Sequence, residues 1–468
     1  MRAAHTVADI RAAEAAVMAT LPEGTLMQRA AAGLAVACAQ RLGRVYGARI
    51  VLLVGSGNNG ADALWAGARL ARRGAAVTAV AVGEPVPDAL AALLAAGGRV
   101  GVLSALDEAD LVVDGIIGIG GRGGLRDPSL AVQGEHVVAV DLPSGVDADT
   151  GAVPGPAVRA GLTVTFGTDK PGLHVGAGKS YAGRLELVDI GLGPWLSEPA
   201  VRLLDGVDVA LALPDPDAAS DKFRRGVLGV AAGSAMYGGA AVLAVGAGIR
   251  SGAGMVRYAG HAADAVRARW PEAVVTETFD DAGQVQAWVV GPGLGTDAAA
   301  AAVVEAVLAQ DVPVLVDADA LTVCAQHQDW LKSRSAPTLL TPHDREFGRF
   351  GSDVGSDRVG AARRLAAELG VTVLLKGDAT VVTDGRAVYV NDTGSAVLAT
   401  AGSGDVLSGG TGSLLAQGLD PLTAGAVGAH LHGVAGTVSA EGAATSAFLV
   451  LEAWPKAVRA VRAGTLDG

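Results

Sequence analysis

Arg49-Ile50-Val51-Leu52-Leu53-Val54-Gly55-Ser56-Gly57-Asn58-Asn59-Gly60-Ala61-Asp62 decides the fold class. An apolar run without alternation predicts a strand covered on both faces, the environment of a parallel sheet between helices. The glycine loop leads into a helical pattern over 61–73, the crossover that a parallel sheet requires. Strand, glycine loop and helix in this order set backbone N–H groups at the carboxyl edge of the sheet, a usual home for phosphates. The loop is not G-x-G-x-x-G, because Asn58-Asn59 fills its middle and no acidic residue ends the second strand. The extra amides and Asp62 predict recognition of more than a pyrophosphate.

Outward from this unit, strands are predicted at 76–82, 111–114, 136–141, 162–166 and 184–190, and helices at 6–20 and 25–42 with Thr6 and Thr25 as N-caps. The pattern loosens at Gly193-Pro194 and again at Leu213-Pro214-Asp215-Pro216-Asp217, which places a domain boundary near residue 212. A second α/β series then begins, with strands at 227–232, 254–258, 287–291, 313–317, 337–341 and 371–376. Asp384-Gly385 joins 380–383 to 386–389 as a hairpin. The expected architecture is α/β in two domains, 1–212 and 213–468, the first a Rossmann-like three-layer sandwich.

A length of 468 residues with 50% hydrophobic side chains suits two cores, and 67 glycines against 4% aromatics suit short helices and strands joined by glycine loops. A net charge of −12 argues against nucleic acid or an anionic membrane as partner. Residues 226–249 form 24 uncharged positions, long enough to imitate a membrane span, but seven are glycines. They are expected to form a buried strand, a loop and a buried helix. Cys38 and Cys324 lie far apart on apolar segments and predict reduced thiols in a soluble, cytoplasmic protein, for which a homo-oligomer is expected.

Three strand ends of the first domain carry oxygen. Besides the Gly55–Asp62 loop there is Asp114-Gly115-Ile116-Ile117-Gly118-Ile119-Gly120-Gly121-Arg122-Gly123-Gly124, dense in glycine and suited to wrapping an anion. Asp141-Leu142-Pro143-Ser144 follows the fourth strand. Asn59, Asp114 and Ser144 offer oxygen ligands for a hard cation such as potassium. In the second domain, Ala399-Thr400-Ala401-Gly402-Ser403-Gly404-Asp405 enters a helix. Its glycines and helix dipole would hold an anion, and a carboxylate beside a phosphate makes sense as a base for an attacking hydroxyl. Gly291-Pro292-Gly293, Asp317-Ala318-Asp319, Thr341-Pro342-His343 and Lys376-Gly377-Asp378-Ala379-Thr380 recur at strand ends, with Lys376 suited to nucleotide phosphates and Asp317 and Asp319 to water-mediated magnesium.

Together, GSGNNGADAL, DGIIGIGGRG, VDLPSGVD and FGTDKPGLHVG with GRLELVDIGLG resemble, in order over most of residues 1–200, the NAD(P)HX epimerase domain, also called the YjeF N-terminal domain. The resemblance implies that Asn58, Asn59, Gly60, Ala61, Asp62, Gly118, Ile119, Gly120, Gly121, Arg122, Gly123, Gly124 and Asp141 bind substrate. It implies that Asn59, Asp114 and Ser144 hold K+, and that Asp141 is the acid/base residue. Ala61 and Ala63 stand where the family carries glycine. KFRRGVLGVAAGS, GPGLG, VDADAL, LLTPHDREF, LLKGDATVV and ATAGSGDVLSGG resemble, over 222–440, the ribokinase-like NAD(P)HX dehydratases. Here Ala240, Gly293, His343 and Asp405 would contact NAD(P)HX, while Lys376, Gly377, Asp378, Ala379, Thr380 and Gly404 would hold ADP or ATP, with Mg2+. Asp344-Arg345 replaces the family's proline-glycine, and Asp221 its histidine. The implied function is epimerisation of R- and S-NAD(P)HX and nucleotide-dependent dehydration of the S form. A ribokinase-like small-molecule kinase with a fused non-catalytic domain is the alternative.

Overall fold

The computed structural model describes residues 1–121 and 123–465. Arg122, expected to bind substrate, lies outside the described residues. Residues 3–201 form one compact unit, and residues 1–2 with 202–468 form the other. The division falls at 201/202 where the sequence places it near 212, because the helix Gly206–Ala212 belongs to the second core. Its Val209 is fully buried there with Leu228 and Trp454. The chain's first residue belongs there too, since the Met1 ammonium lies 2.7 Å from Asp205 and 2.7 Å from Asp208.

Among the described residues of the first unit, seven parallel strands run in the order Arg99–Val100, Ala76–Ala81, Arg49–Val54, Leu111–Gly115, Gln133–Val140, Arg159–Phe166 and Arg184–Val188. Ile50, Leu52 and Val54 are buried against helices Thr25–Leu42 and Asn58–Arg72. Val51 and Leu53 face a second core on the opposite side of the sheet. This two-sided burial is what the unalternating apolar run required. Thr6 caps the helix Val7–Met18 through a capping box with Asp9. Thr25 does not cap the next helix. Gly24, in left-handed backbone at φ 77°, is its N-cap, and the Thr25 hydroxyl donates to the Pro22 carbonyl.

The second sheet runs Val201–Leu203, Val388–Asn391, Thr380–Thr383, Thr372–Leu375, Thr338–Leu340, Val314–Val316, Ala287–Val290, Val227–Ala231, Met255–Ala259 and Val274–Thr276. It is parallel except for the hairpin partners Thr372–Leu375 with Thr380–Thr383 and Thr380–Thr383 with Val388–Asn391. The uncharged stretch is the strand Val227–Ala231 followed by the helix Gly238–Arg250, both packed in the core. Among the described residues, no helix is long and apolar enough to cross a membrane. Both units are helix-covered α/β sheets, as the sequence predicts.

Candidate active sites

In the first sheet the connections diverge at Arg49–Val54, which pairs with Ala76–Ala81 on one side and Leu111–Gly115 on the other. Such a switch point opens a crevice at the carboxyl ends of the strands. The crevice here is a cleft of about 1610 Å³ lined by Asn58, Asn59, Asp62, Gly118, Ile119, Gly120, Gly121, Gly124 and Asp141, all expected from sequence. Gly60 and Ala61 are buried beneath it. Gly60 must lack a side chain, since a Cβ would stand 2.2 Å from the Gly55 carbonyl oxygen. Gly123 is exposed, at φ 81°.

Asp141 holds left-handed backbone at φ 69°, a conformation that costs a non-glycine residue about 1–3 kcal/mol. The neighbouring strand holds it there: its N–H donates to Val164 O at 2.8 Å, and its Oδ1 accepts from Phe166 N at 3.2 Å and Thr165 Oγ1 at 3.3 Å. The Lys170 ammonium closes on the same oxygen in an ion pair whose two side chains are 1% and 9% exposed. Lys170 also donates to Thr165 Oγ1 at 2.8 Å and Phe166 O at 3.0 Å. From the helix Val7–Met18, Glu14 lines the same cleft, its carboxyl raised by burial and then by Asp141. Sequence reasoning missed Lys170 and Glu14. The first sits inside a quoted motif but shows its role only through burial, and the second lies more than a hundred residues from the strand end it faces.

Asp114 is fully buried, and burial pushes its carboxyl up to about 6 against the pull of its hydrogen bonds. Ser144 N and Oγ donate to it at 2.8 and 2.6 Å, and Ile116 N at 3.2 Å. The Asn59 amide nitrogen donates to Val140 O and Ile117 O, and its Oδ1 faces Gly118. Asn59, Asp114 and Ser144 therefore do meet around one loop. Among the described residues no cationic side chain pairs with Asp114.

The second sheet has its switch point at Val227–Ala231, between Met255–Ala259 and Ala287–Val290. There Gly233 N donates to Pro292 O at 2.8 Å, and a Cβ on Gly293 would stand 3.0 Å from Ala240 Cβ. Ala240 and Gly293 thus meet as expected. At the next strand end Asp317 is buried, accepting from Lys376 Nζ at 2.8 Å, Thr341 Oγ1 at 2.8 Å and Ser408 Oγ at 2.7 Å. Burial drives its carboxyl up, but the Lys376 ammonium and these donors leave it below the usual range. Ala318 beside it holds φ 50°, a second strained non-glycine residue at a strand end. His343 caps the helix Asp344–Phe347, its Nδ1 accepting from Glu346 N at 3.1 Å while Glu346 Oε2 accepts from His343 N at 2.8 Å. Glu346 Oε2 also lies 3.6 Å from Lys376 Nζ, so His343, Lys376 and Asp317 share one edge. Arg358 Nη1 donates to both Asp344 oxygens at 2.9 and 2.8 Å, and its Nη2 donates to Lys376 O at 2.8 Å.

The helix Ser403–Ala416 opens at this edge from Gly402, whose φ of 86° only glycine adopts without strain. A Cβ on Gly404 would stand 3.7 Å from Lys376 Nζ. Asp405, in the helix's first turn, has its carboxyl raised to about 7 by burial and then by the Asp317 charge, with Lys376 opposing. Gly377 lies under Arg358, 2.6 Å from its Nη2 to a built Cβ. Ala379 is buried and Thr380 begins the hairpin, while Asp378 is exposed in the bend just before them. A helix N-terminus, an ammonium and a carboxyl titrating near neutrality are thus in one place. They can bind a phosphate chain and take a proton from a hydroxyl.

Residues 228–455 match the family model of NAD(P)H-hydrate dehydratases, and residues 23–172 that of the YjeF-related protein N-terminus. The chain is 52% identical over 396 residues to the bifunctional NAD(P)H-hydrate repair enzyme Nnr of Mycobacterium tuberculosis (strain CDC 1551 / Oshkosh), covering 81% of this chain and 82% of the relative. To the enzyme of the same name from Corynebacterium glutamicum it is 35% identical over 412 residues, 71% of each. The crystal structure of a ribokinase-like superfamily protein from Enterococcus faecalis superimposes with a TM-score of 0.52 at 27% identity, covering 57% of this chain and 98% of that one.

Proposed function

The chain belongs to the family of bifunctional NAD(P)H-hydrate repair enzymes, an epimerase and a dehydratase on one polypeptide, and we propose how its residues divide that work. Hydration at C6 of the nicotinamide ring leaves a hydroxyl that departs poorly. In the C-terminal site the terminal phosphoryl group of ADP or ATP passes to that hydroxyl. Asp405 takes the hydroxyl proton, Lys376 and the N–H groups of Gly402 to Gly404 stabilise the charge on the phosphoryl oxygens, and phosphate then leaves. Loss of a C5 proton completes the dihydronicotinamide, with AMP or ADP as the second product. Ala240, Gly293 and His343 line the dinucleotide side, and Gly377 to Thr380 the adenine nucleotide side.

The observation that carries this assignment is the position of Asp405, a carboxyl raised to about 7 in the first turn of an anion-binding helix. A general base works best with a pKa near the operating pH. Mg2+ would travel with the nucleotide phosphates. Among the described residues there is no cluster of three acidic, histidine or cysteine side chains to cage a metal, and both Asp317 oxygens are already engaged. In the N-terminal site Asp141 acts as acid/base residue for R/S exchange, with Asn58 to Asp62 and the loop 118–124 around the substrate. A K+ ion among Asn59, Asp114 and Ser144 would supply the counter-charge that buried Asp114 lacks. Buried thiols at Cys38 and Cys324 support a reduced, cytoplasmic setting, and we retain a homo-oligomer as the working assembly. Incubation with hydrated NADH epimers and ADP or ATP, following absorbance of the regenerated dihydronicotinamide, tests the whole. A small-molecule kinase would instead stop at a stable phosphate ester.

A further inference from the structure

The epimerase cleft holds a carboxyl that its hydrogen-bond network does not use. Asp62, on the helix Asn58–Arg72, is 5% exposed and lines the cleft, yet its Oδ1 has no hydrogen-bond partner. A buried oxygen left unpaired is costly unless the group is neutral or a ligand completes it. The charged groups facing it explain which. Asp141 comes from the end of Gln133–Val140 and Glu14 from Val7–Met18, both acidic. The nearby ammonium, Lys170, is spent on Asp141 Oδ1, Thr165 Oγ1 and Phe166 O.

We propose that Asp62 is a second catalytic residue of the epimerase, the proton donor to the departing C6 hydroxyl, with Asp141 as its ionised partner. This rests on the epimerase function assigned to the N-terminal site. Burial, then Asp141 and Glu14, raise the Asp62 carboxyl well above the ordinary range, so it keeps its proton where a free carboxyl has lost it. A buried carboxyl without a cationic partner, opposite one held in an ion pair with Lys170, is the pattern of an acid and its charged partner.

The step balances without any other reactant. Asp62 gives its proton to the C6 hydroxyl oxygen, and the C6–O bond breaks with its electron pair on oxygen, releasing water. The N1 lone pair forms the C6=N1 bond, and the resulting cation faces the Asp141 carboxylate. Water then adds to C6 from the other side, the C6=N1 pair returns to nitrogen, and the shed proton goes to Asp141. Relay of that proton through the expelled water to Asp62 restores the pair. No atom or electron is gained overall.

The test uses the full chain with separated R and S epimers of hydrated NADH and ADP. Asp62→Asn is expected to slow R-to-S exchange by at least about a hundredfold, the usual yield of an acid catalyst, while S-form dehydration continues. Asp62→Glu, which keeps an acid, is expected to restore much of the exchange. Wild-type exchange is expected to decline as rising pH removes the Asp62 proton. An infrared protonated-carboxyl band that persists above the pH at which Asp405 and Asp114 ionise should be present in the wild type and absent from D62N. Exchange by D62N at the wild-type rate overturns the inference. A wild-type enzyme lacking both the band and the alkaline decline does the same, whether or not D62N folds. A wild-type enzyme that does not exchange the epimers at all would contradict the epimerase assignment itself, a distinguishable failure.

Discussion

The two sites are built from the same three parts and differ in one of them. Each has a glycine loop opening a helix that carries a carboxyl raised by burial, Asp62 in Asn58–Arg72 and Asp405 in Ser403–Ala416. Each has a strained non-glycine residue at a strand end, Asp141 and Ala318. Each has a lysine–aspartate pair beside that strand end. The lysines differ. Lys170 is 1% exposed and wholly consumed by protein oxygens, whereas Lys376 is 19% exposed and lies at the helix opening next to Gly404. A lysine that stays partly exposed at a helix opening can serve a phosphate. One sealed inside can only fix the charge of its neighbour. On the assignment proposed above, that difference would separate a phosphoryl-transfer site from one that only moves protons.

The largest expected effect is on the base. Asp405→Asn should lower dehydration by at least about a hundredfold while epimer exchange and nucleotide binding persist, read from the two rates separately. Near-normal dehydration would remove Asp405 from the mechanism. Next comes the sealed lysine. Lys170→Met strands the buried Asp141 carboxylate, and should destabilise the N-terminal unit by about 3–5 kcal/mol, measured by denaturant titration. A change below about 1 kcal/mol, as for exposed pairs, would mean that the pair is not buried in solution.

The pH dependence is smaller over any one unit. A base must be deprotonated to accept, and burial places Asp405 at about 7, so its dehydration kcat/KM should be fully developed above that pH. Below it the rate should fall about tenfold per pH unit, while a plateau extending down through pH 5 would contradict the raised carboxyl. The smallest effect concerns Ala63, which has no exposure and sits inside a helix, where no positive φ is needed. Ala63→Gly should cost about 1 kcal/mol of stability without changing the exchange rate at saturation.

Most of the fold was legible because its signals are local. The run 49–54 and the hairpin at Asp384-Gly385 each announce themselves within a few residues, and Thr6 with Asp9 forms its capping box within one turn. Thr25 misled because a left-handed glycine one residue earlier competes for the same cap. The boundary lies ten residues before the point that the Pro/Asp-rich sequence marks, because Val209 shows its allegiance only through packing. At the candidate sites, Asp141, Asp405 and Lys376 stand in motifs, so sequence alone can nominate them. Glu14 and Thr165 lie outside the motifs, while Lys170, Thr341 and Ser408 lie inside them but show their partners only through burial and contacts that can be far away in sequence.

The division of labour between the two sites is tested most directly by Asp141→Ala in the full chain, given a mixture of R and S epimers with ADP. The regenerated dihydronicotinamide should appear in two phases, a fast one equal to the S fraction and a slow one set by uncatalysed exchange of the R form. Consumption of the whole mixture in one fast phase would contradict it.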